Sequence, residues 1–132
     1  MEFDSNNHSV LKLYYHLIMT TKYRRKVIDE DICNFLRIKF EDISGRYNIQ
    51  LDEINHDKDH IHILFRANPN TDLSKFINAY KSASSRMVKK KYPRVKEKLW
   101  KSMFWTRSYC LLTSGGVTID IVRQYIENQG SK

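Results

Sequence analysis

The sequence is short of the residues that break or staple a chain. Its 132 residues include 4 glycines and 2 prolines, too few for long disordered stretches. Its 2 cysteines, Cys33 and Cys110, lie far apart and outside any CxxC spacing, which argues against a disulfide framework or a zinc knuckle. No apolar run approaches the ~18 residues of a membrane-spanning helix. The opening Met1–His8 is polar and acidic, unlike a secretory signal. A GxxxxGK phosphate loop is missing, so no nucleotide cofactor is expected. Internal repeats and low-complexity segments are missing too. These absences point to a soluble, cytoplasmic protein made of a single domain over residues 1–132.

Apolar residues make up 41% of the chain, with 8 Tyr, 6 Phe and 2 Trp, enough for a packed core. Lys and Arg number 23 against 15 Asp and Glu, a formal charge of +8. A basic field of that size draws phosphate polymers or anionic surfaces.

Leu11, Leu13, Tyr15, Leu17 and Met19 alternate, the period of a half-buried strand. A basic loop, Lys22 to Lys26, follows. Asp29 is placed to cap a helix carrying Ile32, Phe35, Leu36, Ile43 and Tyr47, with Phe40 at the stripe's edge and Gly45 as its terminator. Ile49, Leu51 and Ile54 suggest a second strand. After the polar turn 56–59, HIHILFR at 60–66 reads as a third, with Ile61, Ile63 and Phe65 on one face and His60, His62 and Leu64 on the other. A second helix is predicted over about Asp72 to Lys91, with Leu73, Phe76, Ile77, Tyr80, Ser84 and Met87 along its buried stripe. Pro93 stops it. A basic connector leads to a fourth strand around Phe104 to Thr113. Ser114-Gly115-Gly116 breaks that strand, and a last helix spans about Thr118 to Asn128. The order β-α-β-β-α-β-α predicts an α+β fold. It is ferredoxin-like (RRM-like) βαββαβ, a four-stranded antiparallel sheet with two helices on one face, plus a C-terminal helix. The other face of the sheet is expected to be free to bind a ligand, as RNA-recognition modules bind bases.

His60 and His62 project the same way from one strand, roughly 7 Å apart at their Cα atoms from a ~3.3 Å rise per residue. Two neutral imidazoles converging on a point suit a metal. HxH alone is a weak signal, and His56 is a further candidate ligand. Tyr125 and Gln129 stand four apart, on one face of the last helix. Alone, each reads as an ordinary core tyrosine and a solvated amide.

Taken together, HIH on the third strand and YIENQ on the last helix resemble the HUH family, in which U is an apolar residue. More narrowly, the chain resembles the single-tyrosine transposases of the smallest bacterial and archaeal insertion sequences. The likeness covers nearly the whole chain. It runs through KYRRKVI at 22–28, DHIHILF at 59–65, KSASSRM at 81–87, LW at 99–100, FWTRSYCLLTSGG at 104–116 and IVRQYIENQ at 121–129.

That resemblance implies an enzyme that cleaves and rejoins single-stranded DNA at insertion-sequence ends through a 5′-phosphotyrosine. Tyr125 would be the nucleophile, and His60, His62 and Gln129 the ligands of a divalent metal, Mg²⁺ or Mn²⁺. It implies DNA hairpins near the element ends, and a homodimer in which the tyrosine helix of one subunit can complete the histidine pair of the other, with Ser114-Gly115-Gly116 as the hinge and the choice between assembly within and between subunits left open. The chain ends three residues after Gln129, so any function that relatives place in a longer tail is expected to be absent. For DNA contact the basic residues Lys22, Arg24, Arg25, Lys81, Arg86, Lys89, Lys90 and Arg107 are candidates, with Tyr23 and Trp105 as base-stacking rings. Competing readings are a non-catalytic single-strand-binding module on the same fold, another HUH nuclease, and a metal hydrolase built on His56, His60 and His62.

Overall fold

A computed structural model describes residues 13–113 and 119–129. Strand β1 (Leu13–Thr20) pairs with β3 (His60–Ala67) and with β4 (Cys110–Thr113), and β3 pairs with β2 (Ile49–His56). All pairs are antiparallel, in the order β2-β3-β1-β4. Helices α1 (Glu30–Ser44) and α2 (Leu73–Lys91) form one layer on this sheet, and α3 (Ile119–Gln129) follows β4. This is the ferredoxin-like α+β architecture expected.

Local chemistry sets the helix ends. Asp29 Oδ1 accepts the Ile32 N–H at 2.9 Å and Asp72 Oδ1 accepts the Lys75 N–H at 3.0 Å, caps worth about 1 kcal/mol each. The end of α1 differs from expectation. Gly45 has ordinary helical torsions, and the chain turns at Asn48, whose φ of 57° is left-handed. Asparagine tolerates that region better than most residues.

The core lies between the helices and one sheet face. Leu17, Met19, Ile61, Ile63 and Phe65 meet Ile32, Leu36, Phe40, Ile43, Phe76, Ile77, Tyr80 and Val88. Phe40 is the centre of the aromatic packing, not its edge. Its ring stands 5.0 Å from Phe76, 5.2 Å from Tyr80 and 5.8 Å from Phe65. The true stripe of α1 is therefore 32-36-40-43, and Phe35 packs edge-on against Tyr92 at the margin. On α2, Val88 takes the place expected of Met87. The Tyr80 hydroxyl donates to the Leu36 carbonyl at 2.9 Å, which satisfies a fully buried polar atom.

In β2 the register shifts between Leu51 and Glu53. Leu51 and Ile54 cannot both face the core in strict alternation. The bulge at Asp52 lets Leu51 pair with Phe65 and Ile54 with Ile63, both core residues. Strand β4 is shorter than expected. Phe104 and Trp105 are buried side chains ahead of it, and Trp105 forms a single bridge with Thr21, the residue that follows β1.

Ile18 and Thr20 face away from the helix layer, yet neither has exposed surface. Helix α3 packs on β1. The second face is thus partly covered by the chain's own last helix, not free along its length as the sequence suggested.

Candidate active site

Strand β3 sends His60 and His62 to the second face, beside their register partners Thr20 and Ile18 on β1. His60 Nδ1 stands 2.9 Å from Asp59 Oδ1, and the other carboxylate oxygen accepts the Arg24 Nε–H at 2.9 Å. Asp59 is only 6% exposed. Burial pushes its pKa up, but the hydrogen bonds and charges of His60 and Arg24 outweigh that and hold it below the usual carboxylate value. The turn that carries it is clamped from behind. The Asp59 carbonyl accepts the Thr21 N–H at 2.9 Å and the Thr21 hydroxyl at 3.1 Å. The Lys58 carbonyl accepts the N–H groups of Val27 and Ile28 at 3.0 and 2.9 Å. Arg24 reaches Asp59 from a tight turn in which Tyr23 and Arg24 have φ of 56° and 53°. Non-glycine residues in that region store strain of order 1–3 kcal/mol each.

His62 has a different partner. Its Nε2 stands 2.8 Å from His16 Nδ1, with ring centroids 5.1 Å apart. Burial, then the nearby His16 and His60, lower its pKa, so the ring is neutral at neutral pH. Sequence reading passed over His16. Its signal was its place in β1, on the face opposite Tyr15, Leu17 and Met19, but only the register with β3 brings it to His62.

On α3, Tyr125 and Gln129 meet at one serine. Ser108 Oγ stands 3.3 Å from the Tyr125 hydroxyl and donates to Gln129 Oε1 at 3.3 Å. Gln129 is 4% exposed, not the solvated amide its isolated position implied. Burial raises the Tyr125 pKa, against the hydroxyls of Ser108, Thr106 and Thr20. Thr20 lies directly across the strand pair from His60, and its buried hydroxyl has no hydrogen-bond partner among the described residues. Thr20 thus neighbours both Tyr125 and His60.

His56 does not join this group. It pairs with Ile61, on the helix-layer side, and contacts Glu30 Oε2 at 3.4 Å. Among the described residues no three His, Cys, Asp or Glu side chains gather as a metal set. The trio His56, His60 and His62 is therefore not assembled, because an even step along β2 put His56 through the sheet.

The basic candidates fall in separate places. Arg24 is committed to Asp59. Lys22 Nζ lies 5.2 Å from the Tyr23 ring centre, and Tyr23 is partly exposed. Arg25 lines a shallow basic hollow with Lys26 and Lys98. Arg86, Lys89 and Lys90 line another groove with Ser82, Ser85 and Lys96, on the helix layer and so across the sheet from the histidines. In that region Lys89 Nζ donates to the Ser102 carbonyl at 2.8 Å, and half-buried Lys81 donates to the Arg107 carbonyl at 2.6 Å. Arg107 itself is exposed. Trp105 lies in the core. It is 7% exposed, packs edge-on to Phe104 and donates its Nε1–H to Ser84 Oγ at 3.0 Å.

An antiparallel sheet with paired histidines on one face, and a tyrosine helix laid across that face, defines a class. The family described as "Transposase IS200 like" matches residues 9–129. The chain belongs to this family of DNA-cleaving and rejoining enzymes. It is 34% identical over its full length to the ISDra2 transposase TnpA of Deinococcus radiodurans, covering 94% of that protein. It is 29% identical to the transposase of insertion sequence element IS200 from Salmonella typhimurium, over 87% of this chain and 75% of that one. The crystal structure of a Deinococcus radiodurans R1 transposase superposes with a TM-score of 0.84 at 34% identity, over 96% of this chain and 97% of that one. A REP-associated tyrosine transposase bound to a REP hairpin shares the fold, with a TM-score of 0.59 at 11% identity. No helix among the described residues is long and apolar enough to cross a membrane.

Proposed function

We propose that this transposase cuts and rejoins single-stranded DNA at insertion-sequence ends with Tyr125 as nucleophile. The supporting observation is that α3 brings Tyr125 and Gln129 together at Ser108, with Thr20 between the tyrosine and His60. The phenol oxygen attacks the scissile phosphorus and loses its proton. A tyrosine–phosphate bond forms, the bond to the 3′ oxygen breaks, and the 3′ hydroxyl leaves. A DNA 3′ hydroxyl then attacks the phosphotyrosine and returns the tyrosine, so the bond energy is kept instead of being lost to water.

His60, His62 and Gln129 would hold a divalent metal, Mg²⁺ or Mn²⁺. The donor chemistry fits. Each histidine has one ring nitrogen occupied by a protein partner, which leaves the other for a ligand. Three neutral donors leave the cation its full charge, which would polarise the scissile phosphate and offset charge in the transition state. Asp59 fixes the His60 ring, and Ser108 steers Tyr125 and Gln129 as a unit. Ser108 has one hydroxyl proton. While Tyr125 is protonated, that proton goes to Gln129, and it is available to the phenolate once Tyr125 ionises. The loop 22–26 and the α2 groove would carry phosphates of DNA, including hairpin stems near the element ends. A homodimer whose subunits can exchange tyrosine helices is part of this proposal. Its hinge, Ser114-Gly115-Gly116, lies outside the described residues.

The test is a denaturing gel of protein mixed with labelled single-stranded DNA from its own element ends and Mn²⁺. A slow band carrying the DNA 5′ phosphate, lost in Tyr125→Phe and without metal, is expected. DNA binding with no adduct would instead make the protein a single-strand-binding module.

A further inference from the structure

The two strand histidines are held by different groups. His60 is oriented by a carboxylate, as metal-bound histidines commonly are. His62 is oriented by a third imidazole. His16 lies two residues from the register partner of His62, on the same face of β1, a diagonal within reach of two long planar side chains. It is flanked in register by Leu64 and Leu112, and its Nδ1 comes 2.8 Å from His62 Nε2. Between two neutral imidazoles, one nitrogen must donate and the other accept. If His62 donates, its Nε2 keeps the proton and its Nδ1 keeps a free lone pair.

We propose that His16 is a positioning residue of the metal centre: its Nδ1 accepts a hydrogen bond from the Nε2–H of His62, fixing that ring's plane and tautomer so that its other nitrogen is presented to the metal. The inference rests on the metal reading given above. His16 then does for His62 what Asp59 does for His60. The two partners differ in kind. The Asp59 carboxylate is charged, and His16 is a neutral acceptor that adds no negative charge to the centre. His16 is also on the strand that carries Thr20, so β1 places one side chain beside each of the two histidines.

The experiment measures Mn²⁺ binding to the whole protein without DNA, from the electron paramagnetic resonance signal of free Mn²⁺. His16→Phe keeps a ring and removes the acceptor. Binding is expected to weaken about 10–100-fold, the usual cost of losing such a partner. His16→Asn places an amide oxygen close to where Nδ1 stood, and is expected to recover most of the affinity. A ring needed only for packing would give the reverse order, with Phe tolerated and Asn not. Thermal unfolding of the metal-free variants checks that each folds. Wild-type affinity in His16→Phe, or His16→Asn binding no better than His16→Phe, would overturn the proposal. His60→Ala and His62→Ala separate the two levels. If both abolish Mn²⁺ binding while the His16 variants behave otherwise, only the His16 inference fails. If neither affects binding, the metal reading fails and takes this inference with it.

Discussion

Asp59→Ala removes the carboxylate that accepts from His60 and Arg24. A hydrogen bond to a charged group contributes roughly 1.5–3 kcal/mol. Two such bonds would set an upper figure of about 6 kcal/mol, but the Arg24 side chain is 38% exposed and water can replace its partner. Discounting that bond heavily leaves an expected loss of about 2–3 kcal/mol. Urea unfolding at neutral pH reads it. The same change frees the His60 ring, and Mn²⁺ affinity should fall about 10–100-fold. Asp59→Asn separates the two effects. Its amide oxygen still accepts from His60 Nδ1 while Arg24 is released, so metal affinity should stay within a few-fold of wild type and stability should fall. Equal Mn²⁺ binding by Asp59→Ala and wild type would refute the idea that this carboxylate orients a ligand. An Asp59→Ala stability within about 0.5 kcal/mol of wild type would show that solvent replaces the carboxylate as partner of His60 and Arg24.

Asp29 caps α1 and pairs with Arg94 at 2.7 Å. Burial raises its pKa, but the Ile32 N–H and Arg94 together outweigh this and hold it below the ordinary value. A depressed folded pKa contributes stability above the unfolded pKa of about 3.9 that is lost as pH falls through the folded value. Asp29→Ala should therefore cost about 1 kcal/mol at pH 7, with the gap from wild type closing in urea melts below about pH 4. Trp105→Phe should cost about 1 kcal/mol through its lost bond to Ser84 and leave single-stranded DNA affinity unchanged. A fall in affinity at equal stability would return Trp105 to the DNA surface. Replacing Arg86, Lys89 and Lys90 together with Ala should flatten the slope of log affinity against log salt by up to about 2 units, from ~0.7 per phosphate contact on a single strand. An unchanged slope in a filter-binding series would clear that groove of DNA contact.

Much of this molecule was legible from local patterns. Strand alternation in 13–20 and 60–66, the cap at Asp29, and the stop at Pro93 each depend on a few neighbouring residues. Such signals need no knowledge of the fold. The spacing of His60 and His62, and of Tyr125 and Gln129, likewise determined that each pair shares a face. Tertiary structure decided what those pairs meet. The bulge at Asp52 put Leu51 and Ile54 on the same side and His56 on the far side from His60. The β1–β3 register brought His16 to His62 and Thr20 to His60. The packing of α3 on β1 brought Tyr125 and Gln129 to Ser108 and closed part of a sheet face that looked open. Trp105 and Phe40 went to the core because the volume between sheet and helices had to be filled there. Periodicity along a chain records which residues share a face. Which faces meet, and in what register, depends on pairings between residues tens of positions apart, and those are settled only when the whole sheet and its helices pack together.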